Sequence, residues 1–248
     1  MKNMRVICAG VAFLILVAAA MGAWMPARAA TAEAPDVSAA RKARDLTDAS
    51  GLHAALDAAR ADAERSNRIE AHLRHALFAH WMVEVSYAHD DKSLGKSAAA
   101  EGIAAAEKAV ALDPNSSEAH RLLGQLYGEI IPFAFLGGIR YGPKSDRELT
   151  KAIALDPKNA EAHIGLGISK IFTPQTFGGS LPLAIELLKK AIELDPTSDT
   201  AHAWLAQAYE SSQQHALALQ EIQAAERLNP ERQWLRYVRS QITGGKKQ

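Results

Sequence analysis

One pattern, 34 residues long, constrains what this chain can fold into more than any other feature. Leu194-Asp195-Pro196 leads to Ala201-His202, Leu205, Ala206 and Tyr209. Ala218, Ile222 and Ala225 follow, and Leu228-Asn229-Pro230 closes the copy, so Pro196 and Pro230 stand one period apart. Leu205, Ala206 and Tyr209 share one face of a first helix, and Ala218, Ile222 and Ala225 share one face of a second. The small residues let the two helices approach, while Tyr209 and Ile222 fill the space between them. Asn229-Pro230 ends the second helix, because proline lacks the backbone donor and disfavours helix in the residue before it. A single hairpin of this kind leaves an apolar face uncovered, so neighbours must stack on it.

Further copies are present. Leu112-Asp113-Pro114 leads to Glu118-Ala119-His120, Leu123, Gly124 and Tyr127, and Leu155-Asp156-Pro157 leads to Glu161-Ala162-His163, Leu166 and Gly167. Ala-His pairs recur at 71–72, 119–120, 162–163 and 201–202. The His-x-x-Leu-Gly-x-x-Tyr run at 120–127, with Ala184-x-x-x-Leu188 and Ala218-x-x-x-Ile222 for second helices, resembles the tetratricopeptide repeat (TPR) family over residues 50–240. The resemblance implies an all-α solenoid of helical hairpins wound into a right-handed superhelix.

Two copies depart from the period. Pro114 to Pro157 is 43 residues and Pro157 to Pro196 is 39, and both excesses fall between the two helices of a repeat. The inserted stretches, 129–143 and 171–179, carry Phe133, Phe135, Gly137 and Gly138 in one and Phe177, Gly178 and Gly179 in the other. Upstream, 48–65 reads as the second helix of an incomplete first hairpin, and 68–88 and 94–112 read as a full one. Gln233–Ile242 reads as a terminal capping helix. The repeat domain is thus expected over 48–243, with a loose tail at 244–248.

The chain opens with Lys2 and Arg5, an apolar, uncharged run from Val6 to Trp24, then Pro26 and the small residues Ala27, Ala29 and Ala30. This is the layout of a bacterial secretory signal peptide with an Ala-x-Ala site. Cleavage is expected after Ala29, placing the protein in the periplasm or beyond, with 30–47 as a flexible mature N-terminus holding a short helix near 39–46. The alternative is an uncleaved inner-membrane signal anchor, since the apolar run is long enough to span a bilayer; membrane contact is expected only in that case. Cys8 is the only cysteine, so the mature chain would have no disulfide. Without Lys2, Arg5 and Arg28, 25 basic residues face 28 acidic ones, a balance that points away from nucleic acid.

The nine histidines raise the question of a metal. His120, His163 and His202 recur at one repeat position, about 10 Å or more apart by helix-packing distance, too far to share one ion. His72, His75 and His80 lie on one helix, but no His-Glu-x-x-His is present. Structural roles are expected for all of them. Gly137-Gly138 and Gly178-Gly179 lack the Lys-Ser/Thr and the preceding strand of a phosphate loop. No Gly-x-Ser-x-Gly elbow and no acid–base pair stands out, so neither an enzyme nor a cofactor is expected.

Binding is where the resemblance points. In TPR arrays the first helices line a concave groove, and the family's groove offsets fall here on Glu70, Leu73, Leu77, His80 and Trp81, and on Glu118, Arg121, Gln125 and Glu129. In the later repeats they fall on Glu161, Ile164, Ile168 and Phe172, and on Thr200, Ala203, Gln207 and Ser211. Apolar rows in such a groove need a cover. Either the inserted loops fold back through Phe133, Phe135 and Phe177, or a partner protein or peptide occupies the groove, or the residues pack between hairpins. The expected function is an exported scaffold or adaptor that binds another protein through this groove. The alternative is a carrier of an apolar small molecule. The interrupted hairpins and Gly-Gly loops are similar to the periplasmic TPR component associated with TRAP-type solute transporters. Self-association through a terminal hairpin stays open.

Overall fold

The third, fourth and fifth hairpins begin with the same turn. At Asp113, Asp156 and Asp195 the preceding helix ends in extended backbone. Each carboxylate accepts a hydrogen bond from the backbone N–H two residues on, at Asn115, Lys158 and Thr197 (2.9, 2.9 and 3.0 Å). Two residues after each proline, Ser116, Asn159 and Ser198 cap the next helix, accepting from Ala119, Ala162 and Ala201 at 3.2, 3.0 and 3.1 Å. These bonds satisfy donors that a helix start leaves free. The recurrent histidine completes the turn: His120 and His163 donate from Nε2 to the carbonyls of Pro114 and Pro157, at 3.0 and 3.1 Å.

The computed structural model describes residues 35–244; the expected signal segment at 1–29, Cys8 and the last four residues lie outside the described residues. Among those described there are eleven α-helices, α1 Pro35–Asp45, α2 Ala49–Ser66, α3 Ile69–Ala88, α4 Lys92–Leu112, α5 Ser117–Glu129, α6 Gly137–Leu155, α7 Ala160–Phe172, α8 Leu181–Leu194, α9 Asp199–Ser211, α10 His215–Leu228 and α11 Gln233–Ile242. Successive odd and even helices pair as hairpins, α1 with α2 through α9 with α10, and α11 caps the last. The odd helices also pack on one another in series, from α1 to α11, whereas the even helices make no comparable contacts among themselves. The odd helices therefore form the inner wall of a curved array and the even helices fan outwards. This is the hairpin solenoid expected from the period.

Close helix approach depends on small residues. A Cβ on Gly124 of α5 would lie 2.7 Å from Leu149 Cγ and 3.0 Å from the Leu149 backbone nitrogen of α6, and one on Gly167 of α7 would lie 2.9 Å from Leu188 Cγ of α8. Fully buried Ala152, Ala184, Ala191, Ala206, Ala218 and Ala225 serve the same end. Between the first two hairpins a polar tie is added. Glu101 of α4 accepts from Arg60 of α2 (2.7 Å) and pairs with His75 of α3 (2.6 Å). Burial alone would raise its pKa, but these partners outweigh it and hold the carboxyl at about 2.

The structure departs from the sequence expectations in three places. The first hairpin is complete rather than incomplete. α1 starts at Pro35, inside the stretch expected to be flexible, and buries Ala40 and Ala43 in a core shared with α2 and α3. The insertion at 129–143 is largely helical, so Gly137 and Gly138 form the first turn of α6 instead of a loop. Gly137 is required there because a Cβ would run into the backbone of Ile131, and Leu136 before it takes a left-handed conformation at φ 52°. Finally, the inserted loops do not cover the groove. Phe133 stacks on Tyr87 of the preceding hairpin at 5.9 Å, while Phe135 and Phe177 are 92% and 78% exposed.

Gly124→Val is expected to lower stability by about 1–3 kcal/mol through overpacking, read as a fall in the thermal midpoint. Gly138→Ala, with open space around the new Cβ, is expected to leave that midpoint essentially unchanged.

Candidate functional site

The inner wall collects charge, although the repeats around it are apolar. On α5, Arg121 is 3% exposed and donates from Nε to Glu118 (2.7 Å), with further bonds to Glu118 and Gln125. Burial opposes its charge, but Glu118 outweighs this and the guanidinium is held more firmly protonated; Glu118 is correspondingly pulled down. Across from it, His80 Nδ1 on α3 meets Glu129 Oε1 on α5 at 2.5 Å. Burial would lower the His80 pKa, but the charge and hydrogen bond of Glu129 raise it above its ordinary value.

Of the largest cluster, only Thr200 was among the expected groove positions. Arg232, 3% exposed, stands just before α11. It meets Glu84 of α3 at 2.8, 3.0 and 3.2 Å, Asp199 of α9 at 3.1 Å and Thr200 at 2.7 Å, with Asp45 of α1 at 3.9 Å. Its guanidinium also lies over the Trp234 ring, 4.7 Å from the centroid. Burial would raise the pKa values of Glu84 and Asp199, yet Arg232, with help from Arg44, holds both down. A sequence signal existed. Arg232 occupies the position two after proline where the other repeats have Ser116, Asn159 and Ser198, and it makes no side-chain cap.

The expected groove residues divide into three groups. Trp81, Arg121 and Ile164 are buried. Trp81 lies under α1, with the guanidinium groups of Arg41 and Arg44 over its ring at 5.3 and 5.1 Å. Leu73, Leu77 and Ile168 are half-buried and pack against the repeat cores, and Gln125 and Gln207 are also half-buried. Phe172, 66% exposed, meets Trp204 edge-on at 5.9 Å, and Trp204 in turn meets Trp234 at 5.5 Å. The predicted row is thus brought onto one wall, but Trp81 is not on open surface.

Exposed apolar side chains gather instead at the turns within the third and fourth hairpins. Phe135, Leu136 and Ile139 are 92%, 59% and 71% exposed, and Phe177 lies at the corresponding turn of the next hairpin with Gly178 at φ 92° and Gly179 against Thr173. Two shallow hollows, of about 260 and 420 Å³, lie on the first two hairpins, the first lined by α1 and α2 and the second mainly by α2; none of the expected groove residues lines either. Among the described residues, no group of three or more His, Cys, Asp or Glu is placed to hold a metal, and no helix is long and apolar enough to cross a membrane. The recurring histidines sit in helix turns and pairs: His120 also meets Glu148 at 2.6 Å, and His202 meets Glu221 at 2.7 Å.

The profile of the regulator of microtubule dynamics protein 1-3 family matches residues 39–240. The chain belongs to this family. No curated protein matches it. Among solved structures, TTC0263, a thermophilic TPR protein in Thermus thermophilus, is 19% identical; the match covers 84% of this chain and 98% of that one, with a TM-score of 0.58. MamA from Desulfovibrio magneticus RS-1 is 18% identical, covering 81% and 98%, with a TM-score of 0.43. YrrB, described as a TPR protein with an unusual peptide-binding site, is 16% identical, covering 83% and 91%, with a TM-score of 0.42. The likeness to TTC0263 establishes the TPR fold.

The His80–Glu129 pair sets a pH dependence of definite sign. Because the folded pKa of His80 lies above its ordinary 6.5, its contribution to stability is full below that value and is lost as pH rises through the folded pKa. An imidazole NMR titration is expected to give a midpoint above 6.5, and Glu129→Gln is expected to bring it down, since burial then acts with less opposition.

Proposed function

We propose that this family member is an exported scaffold that binds another protein and performs no catalysis of its own. The observation that carries the reading is the set of large apolar side chains left exposed among the described residues, Phe135, Leu136, Ile139, Phe172 and Phe177. They sit at equivalent turns of neighbouring hairpins. Exposed apolar surface of this kind on a folded protein marks an interaction site, and phenylalanine in a protruding turn brings a large contact area at low entropic cost. The half-buried polar groups of the inner wall, Gln125 and Gln207 among them, supply directional contacts. The export half of the proposal is supported by the apolar run from Val6 to Trp24 and the small residues at 27, 29 and 30.

Native mass spectrometry of the protein from its own cells tests both halves. A polypeptide bound in stoichiometric amount is expected with the parent chain and lost in the Phe135→Ala/Phe172→Ala/Phe177→Ala variant. The helical signal should stay unchanged, since exposed substitutions shift stability by only about 0.5 kcal/mol each. A small mass released by organic solvent, and retained by the variant, would replace the scaffold with a carrier of an apolar molecule. A chain beginning at Ala30 is expected; one beginning at Met1 would remove the cleaved-export reading.

A further inference from the structure

The two ends of a solenoid ordinarily touch only their own neighbours. Here they touch each other. Asn229 donates to Asp45 at 3.1 Å, Thr47 bonds Gln233 at 3.0 Å, and Arg232 reaches Glu84, partners separated by 184, 186 and 148 residues. α3 and α11 are four steps apart along the inner wall, so these bonds bring the array round on itself.

The chemistry of this seam differs in kind from that of the joints between neighbouring hairpins. Those joints have packed apolar cores, to which polar ties such as Arg60 with Glu101, His80 with Glu129 and Lys170 with Asp146 are added. The core at the amino end, with Leu52, Phe78 and Met82, and the core at the carboxyl end, with Leu205, Ile222 and Leu235, share no residue. The named contacts across the seam are ion pairs and hydrogen bonds. All three guanidinium nitrogens of Arg232 have acceptors, which is what keeps a buried charge tolerable. Polar joints between packed units are the ones that open, because water can replace each bond as it breaks, whereas apolar joints resist.

We propose that Arg232 is a clasp that holds the repeat array closed. Release of Arg232 from Glu84 of α3 and Asp45 of α1, while it keeps Asp199 of the adjoining α9, separates α1 and α3 from α11 and opens the inner wall to a partner. The inner wall is then a gated surface, and the exposed phenylalanine turns are the part a partner can meet while the clasp is shut. The clasp itself does not depend on who that partner is.

The test uses the full chain with Cys8→Ser, which leaves it free of thiols. Spin labels on Ser50→Cys and Arg236→Cys, both exposed positions on either side of the seam, report its width by pulsed electron paramagnetic resonance. Labels on Asn115→Cys and Thr197→Cys, also exposed, report a span that does not cross it. With Arg232 present, the cross-seam pair is expected to show one narrow distance. Arg232→Met should lengthen and broaden it while the second pair holds, and Arg232→Lys, which keeps the positive charge among Glu84, Asp199 and Asp45, should stay closer to the narrow distance than Arg232→Met does. In parallel, maleimide alkylation of Gln207→Cys on the inner wall should quicken about tenfold in Arg232→Met, a tenfold change in open population for each ~1.4 kcal/mol taken from the closed state. If Arg232→Met does not fold, Glu84→Gln is read in its place. An unchanged cross-seam distance overturns the clasp. So does a change in both label pairs together, which would make Arg232 a part of the fold and not a releasable joint.

Discussion

The turn between repeats governs this structure. An aspartate accepts from the N–H two residues ahead, a proline prevents the helix from continuing, and a serine or asparagine caps the next helix. Because the same bonds open the third, fourth and fifth hairpins, each of these is set on the one before it by the same local chemistry, and the odd helices follow one another along one wall. The small residues then set how closely the hairpins sit, with Gly124 and Gly167 pressed against leucines of the partner helix. Stacking and spacing together bring the first hairpins and the last helix within reach of each other.

What happens at that meeting point is electrostatic. The carboxylates of Glu84 and Asp199 and the guanidinium of Arg232 are taken out of water together. Each would be costly alone, and losing one partner of such a buried pair generally costs about 3–5 kcal/mol. The group is therefore sensitive to any one of its members, unlike an alanine-lined helix joint that tolerates small changes in shape. The same logic holds for His80 with Glu129, while the buried Arg121 finds a partner in Glu118, whose side chain still reaches water. An inner wall crowded by converging helices buries polar side chains, and they persist because each finds an opposite charge.

The hairpin order, the helix ends at Asp113, Asp156 and Asp195 and the capping helix at Gln233–Ile242 were legible in the sequence, because period, proline and capping residues act locally. The structural use of the repeated histidines was legible for the same reason. α1 was harder to read. Its alanine-rich stretch has little amphipathic pattern, and its partners, α2 and α3, supply the burial that makes it a helix. Trp81 was read as a groove residue from its offset, and the offset carries no information about α1 lying across it. The helical half of the insertion was hidden by Gly137, Gly138 and Pro143, which usually mark loops. Arg232 was missed because its partners lie up to 187 residues away in the chain, and its one local sign was a capping position filled by a residue that cannot cap.

The contact between the ends also changes how such an array comes apart. An open stack of hairpins is one-dimensional, with two free ends from which repeats fray and a stability close to the sum of neighbour terms. Joining Asp45 to Asn229 and Thr47 to Gln233 ties the two ends together, so that neither is held by its own neighbour alone. Closing a long loop adds only a logarithmic entropic cost, so the length of chain between the ends is a small obstacle to joining them. Unfolding of an array tied in this way has to begin by breaking a joint, and the joint held by charges rather than by packed apolar side chains is where that break belongs.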